Sequence, residues 1–447
     1  MATKVTPISG FQEWLPAQRI AEQYVLDTIR EVFELHGFAS INTRAVEPVE
    51  RLAGQGEDAD KEIYGVRRLA AEAGEPTELG LHFDLTVPFS RYVVENAGKL
   101  TFPFRRYQIQ PAWRGERPQR GRYREFIQAD IDIVDTGELP FHYEVELPLV
   151  IADVFGRLPV GEYVILVNNR KICEGFYLGL GIEDVVQTLR TIDKLDKIGA
   201  DGVSRVLAEA GLTDEQIRQC LALAEISSTD TSFADAVRAL GVQHPLLEEG
   251  LEQLTAIMAV AGELAPGVLR ADLKIARGLD YYTGTVYETL LLRQPEYGSI
   301  CSGGRYDALA SDGKRTYPGV GISIGVSRLL GLLIGEEGLT ASRETPVAVL
   351  VAVNDEAQRT DSMRIATALR ARGINTLVAP KAAKFGKQIQ FADRRGIPFV
   401  WFPAAGGDGQ DQVKDIRSGQ QVDADAASWT PAPADLRPGL VTPGSIA

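Results

Sequence analysis

Five arginines crowd one polar stretch, RGERPQRGRYREF, which separates two segments in which apolar and polar residues alternate. A guanidinium group binds phosphate oxygens through two parallel hydrogen bonds, and a loop between strands would hold several such groups at fixed separations. The same composition is typical of a solvated hairpin loop whose charges pair with one another. The surrounding sequence favours the first interpretation, a polyphosphate site built from Arg114, Arg117, Arg120, Arg122 and Arg124.

Two further segments carry groups that suit a ligand site. ARGLDYYTGTVYE places Arg277 before two tyrosines, and one permanent cation can hold two anions within reacting distance of each other. In YPGVGISIGVSRLLGLL, the glycines Gly319, Gly321 and Gly325 would let the backbone approach a ligand closely. Each segment alone has a plainer interpretation, because paired tyrosines often lie partly in a strand core and glycines in strands often mark close packing.

Together these segments resemble the signature motifs of class II aminoacyl-tRNA synthetases, in the form found in histidyl-tRNA synthetases. RGERPQRGRYREF is similar to the second motif, and CSGGRYDAL with YPGVGISIGVSRLLGLL to the stretch that ends in the third. ARGLDYYTGTVYE is similar to a segment characteristic of the histidyl enzymes. The resemblance runs from Phe11 to about Pro431, so it implies a fold and an activity for nearly the whole chain.

The resemblance implies roles for individual residues around ATP. Arg114 corresponds to the arginine that contacts the α-phosphate, Glu116 faces the edge of adenine, and Phe126 stacks on the ring. Arg122 corresponds to another phosphate-binding arginine, and Arg328 meets ATP from the side opposite Phe126. An aromatic face suits a purine, and a cation beside the α-phosphorus neutralises charge that develops when a carboxylate attacks it.

The resemblance also implies the catalytic and histidine-binding residues. Arg277 corresponds to the arginine that bridges the substrate carboxylate and the α-phosphate, and it acts with Arg114 in catalysis. Asp132 stands where many relatives have glutamate, and Ser327 where the family usually has an acidic residue. Carboxylates and hydroxyls provide the acceptors that an ammonium group and a ring N–H require. The expected histidine-binding residues are Asp84, Thr86, Arg114, Gln128, Asp132, Arg277, Tyr282 and Tyr306, with Tyr281 also lining the pocket.

Hydrophobic spacing predicts the elements that position these residues. Apolar residues from Pro16 to His36 follow a helical period, and FASINTRAVEP alternates as a strand that ends at Pro48. In the family, these segments form the interface of a homodimer; the alternative is a helix packed within its own chain. Residues 81–135 predict antiparallel strands, and a helical period follows, with a capping-box pattern at Thr213 and Gln216.

The segment after the linker GLTASRET alternates strands and helices, which predicts a small α/β domain with a largely parallel sheet. It resembles the anticodon-binding domain of several class II synthetases. Its segment KAAKFGKQIQFADRRG carries Lys381, Lys384, Lys387, Arg394 and Arg395, which suit contact with phosphates, although a basic helix face is more often only solvated. The last ~20 residues, rich in Pro, Ala and Gly, predict a loose tail.

The fold class implied is therefore an α+β class II synthetase catalytic domain, an antiparallel sheet flanked by helices, with a helical insertion and a C-terminal α/β anticodon-binding domain. We expect the catalytic domain at 1–172 and 267–337, the helical insertion at 173–266, the anticodon-binding domain at 344–431 and the tail at 432–447.

Composition limits the remaining possibilities. The net charge of −14 opposes general coating of nucleic acid, so any contact with tRNA must be a local patch. The scattered histidines and the three distant cysteines form no metal motif, and we expect a metal to arrive with ATP phosphates as Mg²⁺. The chain has no long apolar run and no secretory layout at its start, which favours a cytoplasmic protein without membrane contact.

The activity implied is that of a histidine–tRNA ligase. It would activate L-histidine with ATP, release pyrophosphate, and transfer histidine to the 3′ end of its tRNA. The main alternative is a non-catalytic regulatory paralogue from histidine biosynthesis, a class that generally lacks the anticodon-binding domain and loses key arginines. A synthetase for threonine, proline or glycine and a nucleotide-binding module without turnover are further alternatives.

Overall fold

The computed structural model describes residues 5–53, 61–71, 74, 76–275, 282–404 and 409–442. The chain forms two compact units. The first contains the residues up to Gln12 and Leu26–Gly331, and the second contains Glu13–Val25 and the residues from Leu332 onward. Among the described residues, no helix is both long enough and apolar enough to cross a lipid bilayer.

The elements up to residue 330 are strands and helices in similar number, with most of the helices grouped between residues 142 and 264. The strands are β1 (Ala39–Ser40), β2 (Val46–Pro48), β3 (Gly65–Val66), β4 (Leu79–Leu81), β5 (Phe104–Trp113), β6 (Glu125–Val134), β7 (Tyr163–Asn169), β8 (Ser227–Ser228), β9 (Leu269–Asp272), β10 (Tyr282–Leu291), β11 (Cys301–Ser311) and β12 (Thr316–Gly325). The helices are α1 (Pro16–Leu35), α2 (Val49–Leu52), α3 (Thr86–Asn96), α4 (His142–Arg157), α5 (Arg170–Gly179), α6 (Val185–Ile192), α7 (Leu195–Glu209), α8 (Asp214–Ala224), α9 (Phe233–Arg238), α10 (Pro245–Leu264) and α11 (Val326–Leu330).

A nine-stranded sheet in the order β1-β5-β6-β12-β11-β10-β7-β9-β8 is the frame of the first unit. Its central pairs, from β5 to β7, are all antiparallel, as predicted, whereas β1–β5 and β7–β9 are parallel. Strands β5 and β6 pair over their full length, from Phe104 opposite Val134 to Trp113 opposite Glu125. The arginine-rich loop is therefore the connection between two long paired strands, which fixes the separation of its ends.

The segment FASINTRAVEP differs from its prediction. The sequence predicts one strand that ends at Pro48, but the structure has two short strands in different sheets. Strand β1 joins the nine-stranded sheet beside β5, whereas β2 joins a three-stranded sheet in the order β2-β4-β3. Alternation of residue types predicts extended backbone but not the partner strand, because pairing depends on distant segments.

Local capping signals explain where several helices of the first unit begin. Thr213 and Gln216 form the predicted capping box at the start of α8, since each side chain bonds to the backbone N–H of the other residue. Asp184 accepts a hydrogen bond from the N–H of Gln187 at the start of α6. Pro245 occupies the first turn of α10, where a missing N–H costs nothing.

The second unit contains a five-stranded sheet and three α-helices among its described residues outside α1 and α11. The elements are β13 (Thr340–Ala341), β14 (Val349–Val351), α12 (Arg359–Ala371), β15 (Thr376–Val378), α13 (Phe385–Arg394), β16 (Phe399–Phe402), β17 (Gln412–Asp415), β18 (Gln421–Asp423), α14 (Pro433–Leu436) and β19 (Leu440–Val441). The order is β15-β14-β16-β17-β18, and only the first three strands are parallel. Val349 and Trp401 pack into one apolar cluster, and Leu350 and Val400 into another, so both faces of β14 and β16 are buried.

The prediction of a loose C-terminal tail is wrong for its described residues. Strand β19 pairs with β13, and Asp435 of α14 lies 2.6 Å from Arg417 in an ion pair. Residues 443–447 lie outside the described residues. Composition could not reveal this order, because a two-residue strand and an ion pair depend on partners elsewhere in the chain.

Helices α5 and α10 of the first unit cross at two glycines, and this contact gives a stability prediction. A Cβ atom at Gly175 would lie 2.3 Å from the backbone nitrogen of Leu247, which cannot move away as a side chain could. We expect Gly175→Ala to lower the free energy of unfolding by about 1–3 kcal/mol. Gly262→Ala in α10 is the matched control, since a Cβ atom at Gly262 would have nothing within 4 Å, and it should be neutral or stabilising by up to about 1 kcal/mol. Urea unfolding of both variants measures the difference, and equal stability would contradict the close crossing.

Candidate active site

Two adjoining cavities lie over the nine-stranded sheet of the first unit. Their volumes are about 620 Å³ and 160 Å³, and a third space of about 20 Å³ adjoins the larger one. The two larger cavities share the side chains of Arg114, Gln128 and Arg328, together with Ser299, Ser302 and Ser323. Because strands β6, β11 and β12 carry or adjoin these residues, the sheet fixes how the cavities sit relative to each other.

Backbone carbonyl groups anchor the two shared arginines. Arg114 follows β5 directly, and its Nε donates a hydrogen bond to the carbonyl of Phe83 at 3.0 Å. Arg328 on α11 donates from Nε to the carbonyl of Gly121 at 3.1 Å and from Nη1 to the carbonyl of Ser299. These bonds orient both guanidinium groups before any ligand arrives, which reduces the entropy lost on binding.

Three guanidinium groups line the smaller of these two cavities, and the charges of two of them affect the third. Burial lowers the pKa of Arg328, and the positive charges of Arg122 and Arg114 lower it further, while Glu116 opposes them. Arg122 lies 3.2 Å from Glu116 in an ion pair. A cluster of like charges is unfavourable in the empty protein and becomes favourable when a polyanion lies among them. The arrangement therefore suits a ligand that carries several negative charges.

The 160 Å³ cavity combines this charge with an aromatic face. Phe126 lines it, and the guanidinium carbon of Arg114 lies 5.0 Å from the centre of the Phe126 ring. Glu116, Arg122 and Arg328 line the same cavity. An apolar aromatic face beside guanidinium groups is the chemistry that binds a purine nucleotide through its base and its phosphates together.

Polar side chains line the 620 Å³ cavity on the other side of Arg114. Asp84 is buried, and its Oδ1 accepts a hydrogen bond from the N–H of Val87 at 3.1 Å. Burial raises the pKa of Asp84, and the Val87 N–H and Arg114 oppose that shift. Gln128 donates from Nε2 to the hydroxyl of Ser323 at 2.8 Å, whereas its Oε1 has no hydrogen-bond partner among the described residues. The amide group of Gln128 is therefore held in place, and its Oε1 remains available to accept a hydrogen bond.

The 20 Å³ space is lined by Asp132 and Tyr306 from neighbouring parts of the sheet. Tyr306 donates its hydroxyl hydrogen to Asp132 Oδ1 at 2.7 Å, and Arg106 Nη2 lies 2.5 Å from Asp132 Oδ2. The fully buried guanidinium of Arg106 also lies 4.1 Å from the ring centre of Phe89. Burial raises the pKa of Asp132 to about 6, against the opposing effects of Arg106 and Tyr306.

The strand opposite Asp132 carries a glycine for a steric reason. Gly321 pairs with Asp132 across β6 and β12, and a Cβ atom at Gly321 would lie 2.0 Å from Asp132 Oδ1. The sequence prediction placed this glycine around a nucleotide, but its space is taken by the Asp132 carboxylate. With Tyr306 and Arg106 already bonded to that carboxylate, the side chain is fixed in position.

A second carboxylate on β6, Asp130, is absent from the predicted site. It lines the 20 Å³ space and is 2% exposed, and its Oδ1 has no hydrogen-bond partner among the described residues. Burial raises the pKa of Asp130 to about 7, and Asp132 and Asp84 add to the shift while Arg106 and Ser323 oppose it. The two-residue period of a strand could have identified Asp130, because residues 130 and 132 of one strand point to the same face.

Every predicted site residue that the structure describes lines one of the three cavities. Asp84, Thr86, Arg114, Gln128, Tyr282 and Arg328 line the largest, Glu116, Arg122 and Phe126 the next, and Asp132 and Tyr306 the smallest. Arg277 and Tyr281 lie outside the described residues. The loop arginines Arg117, Arg120 and Arg124 are absent from the three linings; Arg120, for example, pairs with Glu296 at 3.3 Å.

Several other residues that line the 620 Å³ cavity were not predicted from the sequence. The helices after β7 contribute Arg170, Arg190, Asp193, Lys194 and Lys197 to the 620 Å³ cavity. Their positions follow from how α5, α6 and α7 fold over the sheet, which local periodicity does not reveal.

Ser327, which departs from the family pattern, has a structural role. Its hydroxyl accepts a hydrogen bond from the N–H of Ile127 at 2.8 Å.

The chemistry of the linings also bears on metals. Within the described part of the chain, no group of three or more His, Cys, Asp or Glu side chains could hold a metal ion. The acidic side chains that line the 620 Å³ cavity are Asp84, Asp193 and Glu288, and Glu288 is 7% exposed. Magnesium in nucleotide sites is held largely by phosphates and waters with one or two carboxylates, so this lining fits magnesium that is bound together with a nucleotide.

Comparison with protein families and solved structures adds independent information. Residues 10–329 match the family model of histidyl-tRNA synthetase, and residues 347–427 match the model of an anticodon-binding domain. A histidine–tRNA ligase of Micrococcus luteus is 56% identical over 96% of this chain and 97% of its own length. One of Cutibacterium acnes is 56% identical over 98% of this chain and 99% of its own length. The crystal structure of histidyl-tRNA synthetase from Nostoc sp. PCC 7120 superposes with a TM-score of 0.84 at 34% identity, over 95% of this chain and 97% of that one.

The raised pKa of Asp130 gives a prediction for stability against pH. Its pKa is about 7 in the folded protein and 3.8 ordinarily, so the folded state holds a proton that the unfolded chain releases. The resulting stabilisation is complete below about pH 4 and is lost as the pH rises to about 7. We expect Asp130→Asn, which cannot ionise, to melt at a higher temperature than the wild type at pH 8, by several degrees.

The comparison at two pH values isolates this carboxylate from the other acidic groups. The difference in melting temperature should shrink markedly at pH 5, where Asp130 is largely protonated in the folded wild type. Scanning calorimetry at both pH values provides the measurement. An Asn variant that is less stable than the wild type at pH 8 would contradict the assignment of an unfavourable buried charge.

Proposed function

The chain belongs to the histidyl-tRNA synthetase family, and we propose that its activity as a histidine–tRNA ligase depends on the guanidinium cluster of Arg114, Arg122 and Arg328. It is an aminoacyl-tRNA synthetase, which joins L-histidine to ATP with release of pyrophosphate and then transfers histidine to the 3′ end of its tRNA. The observation that supports the mechanism is the presence of these three arginines in the lining of one cavity that also has an aromatic face.

We propose that ATP lies in the 160 Å³ cavity with its adenine on Phe126 and its phosphates among the arginines. Arg328 lies on the opposite side of the base from Phe126, Arg114 contacts the α-phosphate, and Arg122 contacts a further phosphate. The presence of these four side chains in one lining supports this placement. Glu116 in the same lining provides an acceptor for the amino group at the edge of adenine.

The first chemical step is attack by a carboxylate oxygen of histidine on the α-phosphorus, which forms the new C–O–P linkage as the bond to pyrophosphate breaks. Two anions must approach each other, and negative charge grows on the α-phosphate oxygens. Arg114 lowers this repulsion because its charge is permanent and its Nε is anchored on Phe83. We propose that Arg277 bridges the substrate carboxylate and the α-phosphate, so that both catalytic residues are arginines.

We propose that histidine occupies the adjoining 620 Å³ cavity. Asp84 and Thr86 hold its amino group and the near side of its ring, Gln128 supplies an amide beside it, and Asp132, Tyr282 and Tyr306 complete the binding set. The buried carboxylate of Asp84 faces the cavity beside Arg114, which supports an ammonium and a carboxylate bound next to each other.

Magnesium would enter this site with ATP. Glu288 is the side chain that we propose to hold it, directly or through water, together with phosphate oxygens. When bound, the ion neutralises charge on the pyrophosphate that leaves. The lysines and arginines of α5 to α7 at the same cavity add further positive charge for the phosphates.

The domain boundaries, the homodimer and the cytoplasmic location remain proposals. We retain the catalytic parts at 1–172 and 267–337, the helical insertion at 173–266 and the anticodon-binding domain at 344–431. A dimer built on α1 and the following strands is supported by the full span of the family match, which begins at residue 10. The regulatory paralogue is not favoured, because the relatives at 56% identity over nearly the full chain are histidine–tRNA ligases.

The role of Arg277 is testable in the first step alone. We expect Arg277→Ala to reduce histidine-dependent ATP–pyrophosphate exchange by about 100-fold or more, because it removes a cation that acts in the transition state. Its melting temperature should remain that of the wild type. Arg293→Ala is a control, since Arg293 is 76% exposed and only pairs with Glu162 at 3.7 Å, and it should retain full exchange. Unchanged exchange in Arg277→Ala would refute the assigned role.

The proposed contact of the second unit with tRNA can be tested with variants that leave amino-acid activation unchanged. Lys381, Lys384 and Lys387 are exposed at and just before α13. We expect their triple replacement by alanine to raise the KM for tRNA about tenfold and to reduce the salt dependence of tRNA binding by about one ion per lysine. Pyrophosphate exchange, which needs no tRNA, should be unchanged. Arg364→Ala on α12 of the same unit, 74% exposed, is the control; equal KM values for the two variants would remove these lysines from the interface.

A further inference from the structure

Asp130 is the buried group at the site that has no explained role. Its Oδ1 is enclosed and has no hydrogen-bond partner among the described residues, although the residue is only 2% exposed. A buried carboxylate oxygen without a donor is unfavourable and is rarely kept in a folded protein without a reason. By contrast, the buried carboxylate of Glu144 accepts hydrogen bonds from the backbone and hydroxyl of Thr285 and pairs with Arg305 at 2.7 Å. The amide oxygens of Gln108 and Gln128 also have no hydrogen-bond partner among the described residues, but Asp130 is the carboxylate in that group.

The side chains beside Asp130 do not donate to its Oδ1, although the guanidinium nitrogens of Arg106 also have no hydrogen-bond partner among the described residues. Gln108 lies opposite it on β5, but its Nε2 donates to Thr43 Oγ1 at 2.9 Å and to Gln110 Oε1 at 2.7 Å. Arg106 lies against Asp132 at 2.5 Å. The hydroxyl of Ser323, opposite Asp130 on β12, interacts with the carboxylate but leaves Oδ1 unmatched. Asp130 Oδ1 is therefore an acceptor with which a donor on a ligand in the adjoining space can pair.

The space beside Asp130 determines what can reach it. Its volume of about 20 Å³ is close to that of one water molecule, so it admits the edge of a ring rather than a whole ring. Thr86, Tyr282 and Ser302 line both this space and the 620 Å³ cavity, so the two adjoin. A five-membered ring that lies in the larger cavity can therefore point one edge into the smaller space.

We propose that Asp130 is a specificity-determining residue, whose carboxylate accepts a hydrogen bond from an imidazole N–H of the bound histidine. This inference rests on the proposed function and adds a residue to its histidine pocket. Asp132 has fewer free acceptor positions than Asp130, because Tyr306 and Arg106 already contact its two oxygens. A ring without an N–H would leave the Asp130 oxygen buried and unpaired, which is a strong basis for rejecting it.

The charges around Asp130 agree with a donor ligand. Arg106 is the cation that faces Asp130 and Asp132, and Asp84 adds a third acidic side chain nearby. Burial raises the pKa of Asp130 to about 7, because removal from water disfavours the charged form, which a hydrogen-bond donor would favour. An imidazole N–H supplies such a donor, so histidine relieves part of the unfavourable environment on binding.

The test uses the full chain and two variants of Asp130. Asp130→Asn keeps the shape and removes the charge, and we expect the KM for histidine in ATP–pyrophosphate exchange to rise about 10- to 100-fold. The kcat and the KM for ATP should change by less than about threefold, because the ring is remote from the α-phosphorus. Asp135→Asn is the control, since Asp135 directly follows β6 and only accepts a hydrogen bond from Thr136, and its KM should equal that of the wild type.

Substrate selectivity separates recognition from a structural role. In Asp130→Ala, the preference for histidine over β-(2-thienyl)alanine, whose five-membered ring has no N–H, should fall at least about tenfold in kcat/KM. An unchanged preference in Asp130→Ala, or a wild-type KM for histidine in Asp130→Asn, would overturn the proposal. Wild-type exchange with histidine is the independent check of the proposed function, because its absence would refute the ligase activity whatever the variants do.

Discussion

Repulsion among guanidinium groups at one cavity is the constraint on which the rest of the first unit depends. Arg114 follows β5, Arg122 lies in the connecting loop, and Arg328 comes from α11, yet all three line one cavity, and the charges of Arg114 and Arg122 lower the pKa of Arg328. Such a cluster persists only because separate parts of the backbone hold it, through the carbonyl groups of Phe83, Gly121 and Ser299. The nine-stranded sheet thus holds these charges in place in advance, and we propose that a triphosphate binds among them, since preorganised charge accelerates reactions at phosphorus.

The smallest cavity has the opposite electrostatic character. Asp130 and Asp132 lie buried and face the cation of Arg106, and the pKa values of both carboxylates are raised, to about 7 and about 6. A substrate with a carboxylate at one end and a ring N–H at the other suits both charge patterns at once. The arginine cluster and the buried carboxylates both lower the stability of the fold. A ligand that pairs with these charges removes part of that cost when it binds, which is a common relation between stability and function.

Much of the fold and much of the candidate site could be predicted from the sequence, and the incorrect or missing predictions have physical causes. The fold class and the chain's membership of the family are confirmed, and the β5–β6 hairpin, the capping box at Thr213 and the strand-to-helix passage into α11 were predictable from local patterns. Strand partners and the ordered tail were not, because β1, β2 and β19 pair with distant segments. Within the site, motif resemblance identified residues with known counterparts but passed over Asp130, whose importance depends on an unmatched oxygen that only coordinates reveal.

The most direct test of the central claim, that one site binds both a triphosphate and histidine, is ATP–pyrophosphate exchange by the wild-type chain with each of the standard amino acids in turn. We predict that histidine supports exchange and that threonine, proline and glycine do not. Exchange driven equally well by one of those amino acids, or no exchange with histidine, would contradict it.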